Sequence, residues 1–196
     1  MELIYIIKKS WRHSISVSVL PDNRILVKTP YLATERAVKD FLVTKKEWIS
    51  KQIEKQNIEK EQAESLGFFS ADDIKKIKKQ AKEIIPERVD YWAKIIGVSY
   101  DKISIRLQSS RWGSCSKNGN LSFNCLLAIM PSEVMDSVIV HELCHRKHMN
   151  HSKKFYAEID KVFPDYKKHN KWLKENGGIY MKRVSGALRG SPRWKG

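Results

Sequence analysis

One short run of residues limits what this chain can fold into more than any other: VIVHELCHRKHMNH, at positions 138–151. Its apolar start predicts a buried helix, which we place over 131–150. On an α-helix, side chains four residues apart project within about 40° of each other and one turn apart, so His141 and His145 face the same way. Two imidazoles placed in this way can occupy adjacent corners of a zinc tetrahedron.

Glu142 lies between these histidines in the sequence but points in a different direction. Its side chain projects about 100° around the helix axis from that of His141. Glu142 is therefore not placed to be a ligand beside the two histidines, but it can contact a water molecule bound to the metal. Zincins have this arrangement, with two histidine ligands on one helix and a glutamate that acts on the water. The spacing therefore predicts a zinc site for hydrolysis, with Glu142 as the general base.

A catalytic zinc usually has three protein ligands, and two further histidines are candidates for the third. On a continuous helix His148 would lie about 10 Å further along the axis than His141, so one straight helix cannot bring both to one ion. His151 follows Asn150, a residue at which a helix can end and the chain can turn back. We therefore predict His151 as the third ligand, with Glu158 on the next predicted helix as the alternative.

The rest of the sequence predicts short strands and longer helices. Residues 14–20 (SISVSVL) alternate apolar and polar side chains, as half-buried strands do. Ser70 is typical of a helix N-cap, and Pro86 predicts a kink or break in the helix that follows. Strands are predicted at 3–7, 14–20, 24–28, 102–107 and 121–128, helices at 34–57, 70–96, 131–150, 153–162 and 164–176, a linker at 59–69 and a loop at 109–120.

Three segments together resemble a known family: RWGSCSKNGNLSFN at 111–124, VIVHELCHRKHMNHSKKFY at 138–156 and FPDYKKHNKWLKENG at 163–177. They are similar to the YgjP-like zinc metallopeptidases, and more distantly to SprT-like and other small gluzincin-type domains. The resemblance covers about residues 10–176.

The resemblance implies a zinc ion held by His141, His145 and His151, with Glu142 as the catalytic glutamate of a peptidase. It also implies a small sheet packed on the active-site helix. Together with the strand and helix pattern, this predicts an α+β fold with a mostly antiparallel sheet, an N-terminal β-rich portion and connecting helices.

We expect three parts along the chain. Residues 1–69 would form N-terminal strands and a helix, and residues 70–176 a zincin-type catalytic domain. Residues 177–196 would form a basic flexible tail, because they hold five basic residues, no acid and no apolar periodicity.

The segment RWGSCS at 111–116 has two interpretations. Arg111 offers a fixed cation and Gly113 permits close approach of a backbone, as suits the edge of a cleft. Alternatively, the segment is a hairpin loop held by packing of Trp112. Candidates for contacts to the substrate or its oxyanion are Arg111, His148, Tyr156 and Tyr180, and candidates for acceptors that orient the imidazoles are Asn124, Asp160 and Asp165.

The formal net charge of +15 has two interpretations as well. Lysine-rich, solvated helix faces give such a total, and so does a surface that contacts nucleic acid non-specifically. A DNA-associated protease or nucleic-acid-binding module is therefore one alternative function beside a peptidase acting on peptides or proteins. A non-catalytic protein that holds zinc for an interaction is the other.

The cysteines and the N-terminus predict a cytoplasmic protein, and no apolar run approaches the roughly 20 residues that a membrane-spanning helix needs. The three cysteines are an odd number without a CxxC pair, which fits a reducing compartment and argues against a structural zinc on cysteines. The N-terminal apolar stretch precedes its basic residues, the reverse of a secretory signal.

Overall fold

The computed structural model describes residues 5–188, with side chains to Val184, and the chain divides into two compact units, Met1–Ser65 and Leu66–Gly196. The first unit contains strands β1 (Tyr5–Lys9), β2 (Ser16–Val19) and β3 (Ile25–Thr29) and helix α1 (Glu35–Ser65). The second contains α2 (Ala71–Ile96), β4 (Ile103–Arg106), β5 (Gly113–Cys115), β6 (Leu121–Asn124), a 3₁₀ helix (Cys125–Ile129), α3 (Ser132–Cys144), α4 (Lys153–Val162) and α5 (Tyr166–Leu188).

The first unit is a three-stranded sheet with one face covered by α1. Strand β3 lies in the centre, parallel to β1 and antiparallel to β2. Its alternate residues Ile25 and Val27 are buried together with Val38, Leu42 and Ile49 of α1. Helix α1 continues beyond the predicted end near residue 57, through most of the predicted linker.

Helix α2 begins as the sequence predicts. The side chain of Ser70 accepts from the backbone N–H of Asp73, and the Asp73 carboxylate accepts from the backbone N–H of Ser70, which forms a capping box. Pro86 lies inside the helix, which continues to Ile96, so the predicted break is wrong. Burial of Ile85 and Val89 on either side holds this part of the helix against the core.

The α+β class is confirmed, but the prediction of a mostly antiparallel sheet is wrong. In the second sheet β6 is central, parallel to β4 and antiparallel to β5. Strand β5 occupies the segment that was predicted as a loop, and it lies at one edge of the sheet. Strand β6 ends at Asn124, because the Asn124 side chain accepts from the backbone N–H of Leu126 and so caps the 3₁₀ helix.

Helix α3 passes through the core of the second unit, where Val134, Ile139, Val140 and Leu143 are almost fully buried. An ion pair between Arg88 of α2 and the buried Asp136 of α3 joins these two helices. The predicted end of α3 at Asn150 is wrong, since the α-helix stops at Cys144.

Helix α4 has the predicted bounds, whereas α5 begins two residues later than predicted and ends much later. The Ser152 side chain caps α4 as predicted. Helix α5 was expected to end before Gly177 but runs to Leu188. Val184 is buried in the core, and the Arg183 guanidinium lies 4.1 Å from the centre of the Phe69 ring and donates to the carbonyl oxygen of Gly67.

Within residues 5–188 no helix is long and apolar enough to cross a membrane. Residues 189–196, which carry three of the five basic residues of the predicted tail, lie outside the described residues. A contact between that tail and nucleic acid therefore stays a prediction.

Candidate metal centre

His141 and His145 lie in and just beyond the last turn of α3. His145 is the C-cap residue and keeps helical backbone angles, so the one-turn spacing is preserved although the α-helix ends at Cys144. The two ring centres are 4.9 Å apart. Helix α3 thus presents both imidazoles on one side, as the sequence spacing predicts.

The chain turns sharply after Cys144 and brings His151 back to these two rings. The backbone N–H groups of Arg146, Lys147 and His148 donate to the carbonyl oxygens of Leu143 or Cys144 and close the turn. The reversal therefore begins at residue 145, about five residues earlier than a helix end at Asn150 would allow.

The three histidines converge on one point. His151 Nε2 lies 3.0 Å from His141 Nε2. One ligand atom from each of His141, His145 and His151 can be chosen so that all three lie within 4.8 Å of one another. This is the set of residues that the sequence predicts as metal ligands.

Hydrogen bonds orient two of the three rings. His145 Nδ1 lies 3.0 Å from the carbonyl oxygen of His148, which can only accept, so Nδ1 carries the proton and Nε2 has a free lone pair. His141 Nδ1 lies 2.8 Å from the hydroxyl of Tyr166. His148 thus contributes its backbone carbonyl to the centre, a role that the sequence did not indicate.

Tyr166 was not predicted. It is the first residue of α5, is 5% exposed, and its ring stacks on His141 with 5.9 Å between centres. Burial raises the pKa of its hydroxyl, which keeps the group neutral at physiological pH. Its only signal in the sequence was its position within the third segment of the family resemblance.

Phe155 forms an apolar floor beneath the three imidazoles. It is fully buried on α4, and its ring centre lies between 4.6 and 5.0 Å from each imidazole centre. Burial lowers the pKa of His141 to about 4, and the neighbouring imidazoles of His145 and His151 contribute to the shift. Burial also lowers the pKa of His145. Both rings are therefore neutral near pH 7 and can act as ligands.

Glu142 lies beside this group, against the backbone of the edge strand β5. Glu142 is 7% exposed, and burial raises the pKa of its carboxyl group to about 7. A Cβ atom on Gly113 would lie 2.7 Å from both Cγ and Oε1 of Glu142, which is too close. Glycine at position 113 therefore lets β5 approach the carboxylate, which gives part of the RWGSCS segment a physical role.

The other side chains that were predicted to contact the substrate lie in three different surroundings. Arg111 lines a pocket of about 230 Å³ together with His141 and Glu142. Tyr156 is 39% exposed, and its ring centre is 6.3 Å from that of His151. Tyr180 packs near Trp172, with 6.4 Å between ring centres.

Several candidates serve purposes other than metal binding or orientation of the imidazoles. The Glu158 carboxylate pairs with Lys147 at 2.5 Å and Lys161 at 3.4 Å and does not belong to the histidine group. The Asn124 amide donates to backbone carbonyls of the loop before β5. Among the described residues, the hydrogen-bond partners of the His141 and His145 Nδ1 atoms are the Tyr166 hydroxyl and the His148 carbonyl, whereas Asn124, Asp160 and Asp165 make no such bond.

Comparison with known proteins assigns most of the second unit to a family. The model of the YgjP-like metallopeptidase domain matches residues 70–176, more than half of the chain. The chain belongs to the YgjP-like metallopeptidase family. The resemblance recognised in the sequence is thus confirmed, although the match begins at residue 70 rather than near residue 10.

Two solved structures are similar to part of this YgjP-like protein. One is the metallopeptidase zymogen of Pyrococcus abyssi abylysin, with a TM-score of 0.43 and 23% identity over 47% of this chain and 94% of that chain. The other is the metallopeptidase zymogen of Methanocaldococcus jannaschii jannalysin, with a TM-score of 0.43 and 22% identity over 47% of this chain and 96% of that chain. No curated protein matches the YgjP-like chain significantly.

Proposed function

We propose that this protein is a zinc-dependent peptidase in which His141, His145 and His151 hold one zinc ion and Glu142 is the general base. The observation that carries the proposal is the convergence of three imidazoles, with ligand atoms within 4.8 Å of one another, beside a buried carboxylate. Membership of a metallopeptidase family supports the same reaction class.

The donor set fits zinc. Three imidazole nitrogens are a common ligand set for catalytic zinc and leave a position open for water or substrate. The His141 and His145 rings are neutral near pH 7, and both have their Nδ1 atoms engaged, which leaves the Nε2 atoms for the metal. When bound, zinc would supply a Lewis acid that polarises a carbonyl oxygen and lowers the pKa of water towards about 7.

Glu142 would carry the proton transfers. Its Oε atom accepts a proton from the attacking water while the water oxygen forms a bond to the peptide carbon. When the C–N bond breaks, the same carboxyl group gives the proton to the leaving amine. A pKa of about 7 suits a group that must accept and release a proton near neutral pH.

Tyr166 and the carbonyl of His148 would fix the ligands. For His141 to bind through Nε2, its Nδ1–H must donate to the Tyr166 hydroxyl oxygen. The His148 carbonyl receives the corresponding proton of His145. Such partners hold the rings in place and make them more basic ligands.

His151→Ala and His148→Ala form a matched pair that tests the proposal. We expect His151→Ala to lose most zinc and with it hydrolysis of denatured casein, because it removes one of three ligands. His148→Ala should retain zinc, since its contribution to His145 comes from the backbone. Metal analysis of the purified proteins and mass spectrometry of the peptide products measure both effects.

Full zinc content in His151→Ala would contradict the ligand assignment. A wild-type protein that holds one zinc per chain but cleaves neither casein nor peptides would contradict the peptidase, and would favour a zinc-holding interaction protein instead.

A further inference from the structure

A pocket of about 230 Å³ opens beside the proposed catalytic residues. His141 and Glu142 line it together with other residues of α3, residues of α5, the start of β5 and the loop before β5. Pockets that take whole small-molecule ligands usually measure about 300–1,000 Å³. A cavity of this size and position suits one side chain, or the end of one chain, of a bound peptide.

The walls of the pocket combine an apolar surface with one cation. Trp112, Val138 and Leu173 supply apolar surface, and Arg111 supplies a guanidinium. Trp112 is held in place by close packing on α5, since a Cβ atom on Gly177 would lie 2.8 Å from its Cζ2. An apolar wall of this kind suits the methylene groups of a bound residue.

Arg111 is free to bind a ligand. Its side chain is exposed, and no hydrogen bond or ion pair engages it among the described residues. Two other polar groups of the pocket already have partners, because the Ser137 hydroxyl donates to the carbonyl of Val134 and the Tyr166 hydroxyl is hydrogen-bonded to His141.

The backbone that carries Arg111 is held rigidly. Asn124 is fully buried, and its Nδ2 donates to the carbonyl oxygens of Gln108 and Arg111 at 2.8 and 3.0 Å. The Asn124 backbone N–H donates to the carbonyl oxygen of Trp112 at 2.8 Å. These three hydrogen bonds fix the backbone from which the Arg111 side chain extends, which reduces the freedom lost when a ligand binds.

We propose that this pocket is a substrate subsite for a carboxylate group, with Arg111 as the residue that recognises it. Guanidinium groups bind carboxylates through paired, charge-assisted hydrogen bonds. The carboxylate would belong either to an aspartate or glutamate side chain next to the cleaved bond or to the free C-terminus of the peptide. The proposal rests on the proposed function, because it takes peptides as the substrates.

A binding experiment tests the subsite without requiring turnover. Zinc-loaded Glu142→Gln protein is titrated with short acetylated peptides that carry Glu, Gln or Lys at successive positions and end in a free or an amidated carboxyl group. We expect one carboxylate to strengthen binding about tenfold over its neutral counterpart. A preference for Glu identifies a side-chain carboxylate, and a preference for the free end identifies the C-terminus.

The added substitution Arg111→Gln should abolish this preference. Arg106→Gln removes an exposed arginine from β4, outside the pocket, and should keep the preference intact. Equal affinity for the charged and neutral peptides, or a preference that survives Arg111→Gln, would overturn the proposal.

Cleavage of denatured casein by the enzyme with its native Glu142 provides a second test. Mass spectrometry should find an excess of acidic residues, or of chain ends, at one fixed distance from the cleaved bond. Arg111→Glu should shift that excess towards Lys and Arg. Cleavage without such a pattern would overturn the subsite and leave the peptidase intact, whereas a binding preference without any cleavage would overturn the peptidase alone.

Discussion

The hydrogen bond between Tyr166 and His141 extends the metal centre beyond its predicted ligands. The Tyr166 hydroxyl lies 2.8 Å from Nδ1 of His141, on the side of the ring opposite the proposed metal. A ring held at Nδ1 loses little freedom when Nε2 binds an ion. We therefore propose Tyr166 as a positioning residue, whose effect on chemistry would act through His141.

Tyr166→Phe should weaken zinc binding by about 10- to 100-fold while the fold is retained, because phenylalanine fills the same space without the acceptor. Competition with a chromogenic chelator measures the affinity. Tyr100→Phe is the matched control, since it removes a hydroxyl that bonds to Asp90 away from the centre. Unchanged zinc affinity in Tyr166→Phe would show that the hydroxyl has no part in the site.

The residues of the centre differ in how far the sequence could predict them. The i, i+4 spacing of His141 and His145 survives into the structure because both stay in helical geometry. The prediction of His151 as the third ligand agrees with the observed cluster of histidines. The expected helix end at Asn150, on which that prediction was based, is wrong, because the helix stops at Cys144. Tyr166 could not be found by spacing, because it reaches His141 only through the packing of α5 on α3.

Among the elements, the strand at the rim of the site and the last helix were the hardest to predict. Strand β5 has three residues and pairs only with β6, so it leaves no period-two pattern long enough to recognise. Helix α5 contains Gly177 and Gly178, which normally favour a helix end. Gly177 packs so closely on Trp112 that a larger side chain would not fit, which accounts for a glycine at this position within a continuous helix.

The end of α5 should therefore stabilise the second unit. A chain that ends at Gly177 loses the burial of Val184 and the contacts of Arg183 with Phe69 and Gly67. We expect the free energy of unfolding to fall by about 2 kcal/mol or more. Val184→Ala alone should account for about 1–2 kcal/mol of this loss.

Urea denaturation followed by tryptophan fluorescence measures both changes. An unfolding midpoint equal to that of the full chain would mean that α5 beyond Gly177 does not contribute to the core.

On the scale of the whole molecule, all the residues of the proposed centre belong to the second unit. The ligands, the proposed base and the Arg111 pocket lie between residues 110 and 173, inside the region 70–176 that matches the family. The first unit has a separate core around Ile25, Val27 and Ile49. The proposed chemistry and the family match therefore both belong to the second unit.

The variant Glu142→Gln separates zinc binding by the three histidines from the proton transfers that we propose for the carboxylate. Glutamine keeps the size of the side chain beside Gly113 but cannot accept the proton. Zinc content and hydrolysis of denatured casein are measured on the same preparations of the wild type and the variant. We predict equal zinc, close to one ion per chain, and a loss of hydrolysis of at least about 100-fold in the variant. Equal zinc with undiminished hydrolysis in Glu142→Gln would contradict the account.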